Sequence, residues 1–149
     1  MSRATREAKC RALIRKYYAH VPSRETVRDE TVFTLMGPDQ RILDAGCGSR
    51  LGLLNRYGPH VAFAVGIDLV TPAEPPKPGT AVTIGDLEAL PFRDAAFDLI
   101  VSRSVVEHLE NPKVVFRELA RTLKPGGKLA LTTPNRYYYS SLIAGAIPF

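Results

Sequence analysis

Between residues 41 and 133 the apolar side chains come in short unbroken runs rather than at every second position. Residues 42–45, 61–67, 81–84, 97–102 and 128–133 read as five strands on this basis. A strand that turns apolar side chains to both faces needs both faces covered, which is the condition of a parallel sheet held between helices. Residues 51–57 read as a short helix, and Pro112 suits the first turn of another ending near Leu123. The stretch 71–80 stands where a further helix belongs, but Pro72, Pro75, Pro76 and Pro78 leave it a loop. Pro125-Gly126-Gly127 reads as a turn before the fifth strand. The expectation is a doubly wound α/β sheet. Ligands of such sheets bind beyond the carboxyl ends of the strands, near the point where the strand order reverses. Those ends carry residues 44–48, Asp68, Asp86, Ser102 and residues 133–135.

Two helices are predicted before the sheet. In the first, Cys10, Leu13, Ile14 and Tyr17 recur at helical spacing. Ser23 is the N-cap of the second, along which Val27, Thr31, Val32, Leu35 and Met36 form a stripe that ends at Gly37-Pro38. Both read as cover for one face of a sheet, with a share in a substrate pocket as the sharper alternative. The chain's net charge of +5 is concentrated here: eight Lys/Arg up to Arg28 face only Glu7 and Glu25, and the remainder is close to neutral. Such a segment suits nucleic acid, an anionic membrane surface or an acidic substrate. Acidic residues interrupt it and no aromatic stacking platform accompanies it, so a solvated helix face is the favoured reading.

The 149 residues suit one domain, and 45% hydrophobic with 23% charged content is that of a globular protein. No apolar run is long enough to span a bilayer, and none follows the basic N-terminus as a secretory signal would. Cys10 and Cys47 form neither a disulfide framework nor a zinc spacing. No metal site is expected, and a reducing cytoplasm is the default location.

Asp44-Ala45-Gly46-Cys47-Gly48 follows the first strand directly. Glycines there let the backbone turn sharply and let a ligand approach without a Cβ in the way. The adjacent carboxylate would repel a pyrophosphate, so a cationic, phosphate-free nucleoside fits better than a dinucleotide. The structural alternative is a tight strand-to-helix turn. Asp68 stands twenty-four residues on, at the end of the second strand, where an acid can accept hydrogen bonds from two ribose hydroxyls. It could instead cap a helix. Asp86 ends the third strand and could accept the exocyclic amine of an adenine, with the Leu87 N–H meeting a ring nitrogen. A turn acid after Gly85 is the plainer reading.

Taken in order, six segments resemble class I, Rossmann-like S-adenosyl-methionine-dependent methyltransferases. They are residues 42–48, 65–68, 85–92, 97–102, 106–109 (Val-Glu-His-Leu) and 123–128 (Leu-Lys-Pro-Gly-Gly-Lys). The resemblance spans about residues 41–135 and is nearest to the small-molecule subfamily that includes quinone-biosynthesis enzymes. It implies a mostly parallel sheet of strand order 3-2-1-4-5, with a basic helical segment at 1–38 and the cofactor-binding domain at 39–149. It implies that Asp44, Gly46, Cys47 and Gly48 line the methionine end of S-adenosyl-methionine. Asp68 and Leu69 would hold the ribose, Asp86 and Leu87 the adenine edge. Ser102, Glu107 and His108 would flank the methyl donor, the last two as candidate catalytic groups; a capping histidine and a structural acid are the alternatives. The acceptor implied is a small molecule or lipid precursor.

Two departures from the family pattern stand out. Arg50 occupies the place of a usual third glycine. The family sheet has seven strands and this sequence supplies five, leaving the fifth as an exposed edge. The chain then reads as a truncated product, a fragment, or a domain whose sheet edge a partner or a second copy completes. Tyr137, Tyr138, Tyr139 and the apolar tail offer an aromatic acceptor pocket or an interface. Three further readings compete with an active enzyme: a cofactor-binding module without catalysis, a nucleic-acid methyltransferase using the basic arm, and an oxidoreductase on a similar fold.

Overall fold

The structure is a computed structural model that describes residues 3–134. Asn135, the three tyrosines 137–139 and the apolar tail, to which the sequence assigns a share in the site, lie outside the described residues. The chain forms two compact units that divide between Thr31 and Val32. In the first, α1 runs Arg3–Tyr18, and α2, Arg24–Leu35, begins there. Ser23 caps α2 as expected: its Oγ accepts the Thr26 N–H at 3.0 Å. The Arg28 guanidinium pairs with its neighbour Asp29 at 2.7 Å.

The second unit holds five strands: β1 Arg41–Ala45, β2 Phe63–Asp68, β3 Thr80–Ile84, β4 Phe97–Arg103 and β5 Leu123–Thr132. All four pairings are parallel and the order is β3-β2-β1-β4-β5, as the family resemblance implies. The helices of this unit are α3, Gly52–Tyr57, and α4, Pro112–Thr122. Residues 69–79 contain neither helix nor strand, as their prolines require.

Alternation along the strands divides the core. Leu43, Ala45, Val65, Ile67 and Ile100 share one face with Val115 and Leu119 of α4 and with Leu87 and Leu90. Ile42, Leu99 and Val101 face the other way, against Val32, Leu53 and Tyr57. Both faces are therefore apolar, which explains the unbroken runs. Each fully buried side chain of this kind contributes about 1.5–3 kcal/mol. Asp44 lies two residues after Ile42, on the α3 side.

The fifth strand differs from its predicted form. Pro125, Gly126 and Gly127 are not a turn ahead of it but part of it. Phe97 pairs with Leu123 and Leu99 with Lys128, so Asp98 alone of β4 stands against residues 124–127 of β5. A proline cannot donate to a ladder, and the bulge absorbs it.

Candidate functional site

The carboxyl ends of β1, β2 and β4 converge on the turn after β1. Gly46 and Cys47 donate their N–H groups to Ile67 O at 2.9 and 3.2 Å, so the turn folds back over the end of β2. Gly48 N–H then donates to Asp68 Oδ2 at 2.7 Å, and Val70 N–H donates to Oδ1 at 3.1 Å. Ser102 is buried, and its hydroxyl donates to Ala45 O at 2.8 Å, fastening β4 to the start of the turn. A bond from Ala73 N–H to Ser49 O at 2.8 Å brings the proline-rich loop to the same place.

The two glycines do different work. Both have positive φ, +81° at Gly46 and +64° at Gly48, which L side chains adopt only with strain. A Cβ on Gly46 would collide with Val105 Cγ2, so the close approach there is made by the protein itself. A Cβ on Gly48 would meet nothing within 4 Å. Of the two, Gly48 is the one with open space beside it.

Asp44 is 3% exposed, and neither carboxylate oxygen has a hydrogen-bond partner. Burial pushes its pKa from the ordinary 3.8 up to about 7, and the nearby Asp68 adds to the rise. The Arg103 guanidinium and the Leu54 backbone N–H oppose it without prevailing. A buried polar group without a partner is uncommon and calls for a reason. Both oxygens of Asp44 are sealed from solvent as well as unpartnered. Burial, with Asp44 and Asp68 nearby, pushes the Cys47 thiol up to about 12, so it stays protonated and packs rather than reacts.

Asp86 opens an Asx turn, its Oδ1 accepting Glu88 N–H at 2.9 Å. The Leu87 side chain is in the core, which fixes the backbone beside it. Leu69 is 70% exposed, so only its backbone is held in place. Glu107 and His108 stand on a 3₁₀ turn, Val106–His108, and both are exposed. Thr133 Oγ1 donates to Glu107 Oε2 at 3.1 Å. Arg50 is exposed. Arg103, Leu54 and Val105 carry no sequence signal of a site, yet they set the surroundings of Asp44 and Gly46. Ser104 adds a positive φ of 55° just beyond β4, an outlier of the kind that gathers at functional sites.

A parallel sheet of this order, with a glycine turn and an acid after β1 and an acid ending β2, defines a nucleoside-binding domain of the Rossmann-like class. The family described as "Methyltransferase domain" matches residues 43–131, more than half of the chain, and the chain belongs to that family. The cofactor of the family is S-adenosyl-methionine. The chain is 34% identical over 99 residues to a malonyl-[acyl-carrier protein] O-methyltransferase of Erwinia billingiae, covering 63% of this chain and 39% of the relative. It is 32% identical over 127 residues to a ubiquinone biosynthesis O-methyltransferase of Coxiella burnetii, covering 78% of this chain and 53% of the relative. The chain thus spans about half or less of these relatives. A solved S-adenosylmethionine-dependent methyltransferase from Mesorhizobium loti shares the fold with a TM-score of 0.63 and 24% identity, over 73% of this chain and 54% of that one. Among the described residues no helix is long and apolar enough to cross a membrane.

Proposed function

We propose that this domain binds S-adenosyl-methionine and directs its methyl group to a small-molecule or lipid-precursor acceptor. The observation that supports the reading is the buried, unpartnered Asp44 carboxylate near the end of β1, together with the open position at Gly48 in the turn that follows. Asp44, Gly46, Cys47 and Gly48 would surround the methionine end, where Asp44 meets positive charge. The carboxylate of Asp68, with Leu69 beside it, would take the ribose hydroxyls. Its two oxygens keep spare lone pairs after serving Gly48 and Val70. Asp86 and the Leu87 N–H would read the adenine edge. Ser102 would flank the donor end through the backbone it braces.

When bound, the cofactor supplies a methyl group already activated on a sulfonium. The chain's part is to align the two reactants, an effect that can lower a barrier by roughly 7–11 kcal/mol. Glu107 and His108 would serve as proton acceptors only for an acceptor that must lose a proton early. The free thiols of Cys10 and Cys47 support a reducing cytoplasm as the place of action.

Calorimetry of the full chain against S-adenosyl-methionine, S-adenosyl-homocysteine and NAD tests the binding step. Binding of both adenosyl compounds and not of NAD is expected; the reverse would sink the proposal. Transfer of a labelled methyl group to a panel of small-molecule acceptors tests the second step, and binding without transfer to any of them would leave a cofactor-binding module.

A further inference from the structure

All five N–H donors of Arg121, in the last turn of α4, are engaged. Nε and Nη2 grip Glu118 at 2.8 and 2.7 Å. Nη2 also donates to Leu90 O at 3.0 Å, and Nη1 donates to Phe92 O and Asp94 Oδ1, both at 2.8 Å. Glu118 Oε2 in turn accepts Leu90 N–H at 3.0 Å. The Arg121 hydrogen bonds hold the Glu118 carboxyl below its ordinary pKa, so the pair stays charged.

The segment gripped here contains no regular structure, so its backbone groups depend on such partners. It is continuous with Asp86 and Leu87. A second tether lies at the other end of α4, where Asn111 Nδ2 donates to Glu88 Oε1 at 3.0 Å. Ala95 and Ala96 N–H groups close the loop onto Arg121 O and Thr122 O at 2.9 and 2.8 Å.

We infer that Arg121, acting with Glu118, is a positioning residue for base recognition: it holds residues 86–94 where Asp86 and the Leu87 N–H can meet an adenine. The assignment rests on the cofactor reading above. Arg121 itself has no donor left over for a ligand. Its planar fork spans two carbonyls and two carboxylates at once, which a lysine ammonium cannot do.

The test compares S-adenosyl-homocysteine with its inosyl counterpart, which carries a 6-oxo group in place of the adenine amine. Full-chain wild type, Arg121→Lys, Glu118→Gln and Asn111→Ala are titrated calorimetrically. Wild type should prefer the adenine form by about tenfold, the worth of one good buried hydrogen bond. Arg121→Lys and Glu118→Gln should bring that preference close to parity while the inosyl compound binds as before, and Asn111→Ala should do so in part. A purely structural role would lower the melting temperature and leave the base preference intact; that result in a folded variant overturns the inference. A wild-type chain that binds neither nucleoside overturns the cofactor reading and the assignment with it, whereas wild-type binding with unchanged preference in the variants overturns the assignment alone.

Discussion

Gly48 donates its N–H to Asp68 Oδ2 at 2.7 Å, which joins the turn after β1 to the end of β2 through one side chain. The same carboxylate accepts Val70 N–H through its other oxygen. Asp68 therefore shapes the glycine loop itself, in addition to the ribose contact proposed for it. Asp68→Ala removes both internal acceptors and the acceptor for the ligand. Bonds to a charged acceptor are worth about 1.5–3 kcal/mol, so affinity for S-adenosyl-methionine should fall at least about a hundredfold by calorimetry. Asp68→Asn, which keeps one acceptor oxygen, should lie between. A loss under about threefold for the alanine variant would exclude this double role.

Asp44 makes a prediction about stability that runs opposite to its value for binding. The folded state holds its proton more tightly than the unfolded chain, with a pKa of about 7 against 3.8. The contribution of Asp44 to stability should therefore be greatest near or below pH 4 and decline as pH rises to about 7, by an amount on the order of 4 kcal/mol. Asp44→Asn should remove this decline. Its stability relative to wild type, measured by urea unfolding, should improve by roughly 3 kcal/mol between pH 5 and pH 8. The same substitution should abolish tight cofactor binding. A pH-independent difference between the two proteins would refute the buried-charge account.

The two glycines of the turn should respond differently to a methyl group. Gly46→Ala forces the new Cβ into Val105 and adds strain at φ +81°, so it should destabilise by about 3 kcal/mol or more. Gly48→Ala meets only the backbone strain of a left-handed residue, about 1–2 kcal/mol. Yet Gly48→Ala should weaken cofactor binding in a protein that remains folded, because its Cβ enters the open space. Val105→Ala should relieve part of the Gly46→Ala defect and none of the Gly48→Ala defect. Thermal melts and calorimetry on the three single variants and on the two that combine Val105→Ala with a glycine change separate the two effects.

Asp98 anchors the start of the sheet. Its carboxylate accepts Lys124 Nζ at 2.8 Å on both oxygens and Arg41 N–H at 2.9 Å. Its own desolvation raises the pKa, but these partners outweigh that and hold it below the ordinary 3.8. A depressed folded value means stability that is present above about pH 4 and lost as pH falls through the lowered pKa. Lys124 is 38% exposed, so water and salt screen the pair, and Asp98→Asn should lose only about 0.5–1 kcal/mol at pH 7. The difference should shrink along an acid-unfolding series and vanish once the pH is below the lowered pKa. A difference that persists there would mean the packing of the side chain, not its charge, is what matters.

The strands and their parallel sheet were legible because they follow from physics that acts locally, whereas the strand order came from the family resemblance. Runs such as Ala64-Val65-Gly66-Ile67 cannot face water on either side, and the proline loop at 69–79 left no doubt about the missing helix. Asp44, Asp68 and Asp86 could be placed because a parallel sheet puts the ends of its strands on one side. The course of β5 was not legible: Pro125 and the glycines after it carry the pattern of a turn, and only pairing with β4 draws them into the strand. Nor was the reason for Gly46. The residue that needs its missing Cβ is Val105, 59 positions later in the chain. The Arg121 clamp is hidden for the same reason, since its partners at 90, 92 and 94 are joined to it only by the fold.

The orphaned carboxylate of Asp44 also bears on how this sequence would drift under different pressures. A library of variants chosen for heat resistance alone would discard Asp44 early, because most uncharged replacements make a better core. The resulting proteins would keep the sheet, resist denaturation and have no use for a nucleoside. Retention of the acid across generations would thus record selection for the guest, in a residue that the host would be sturdier without.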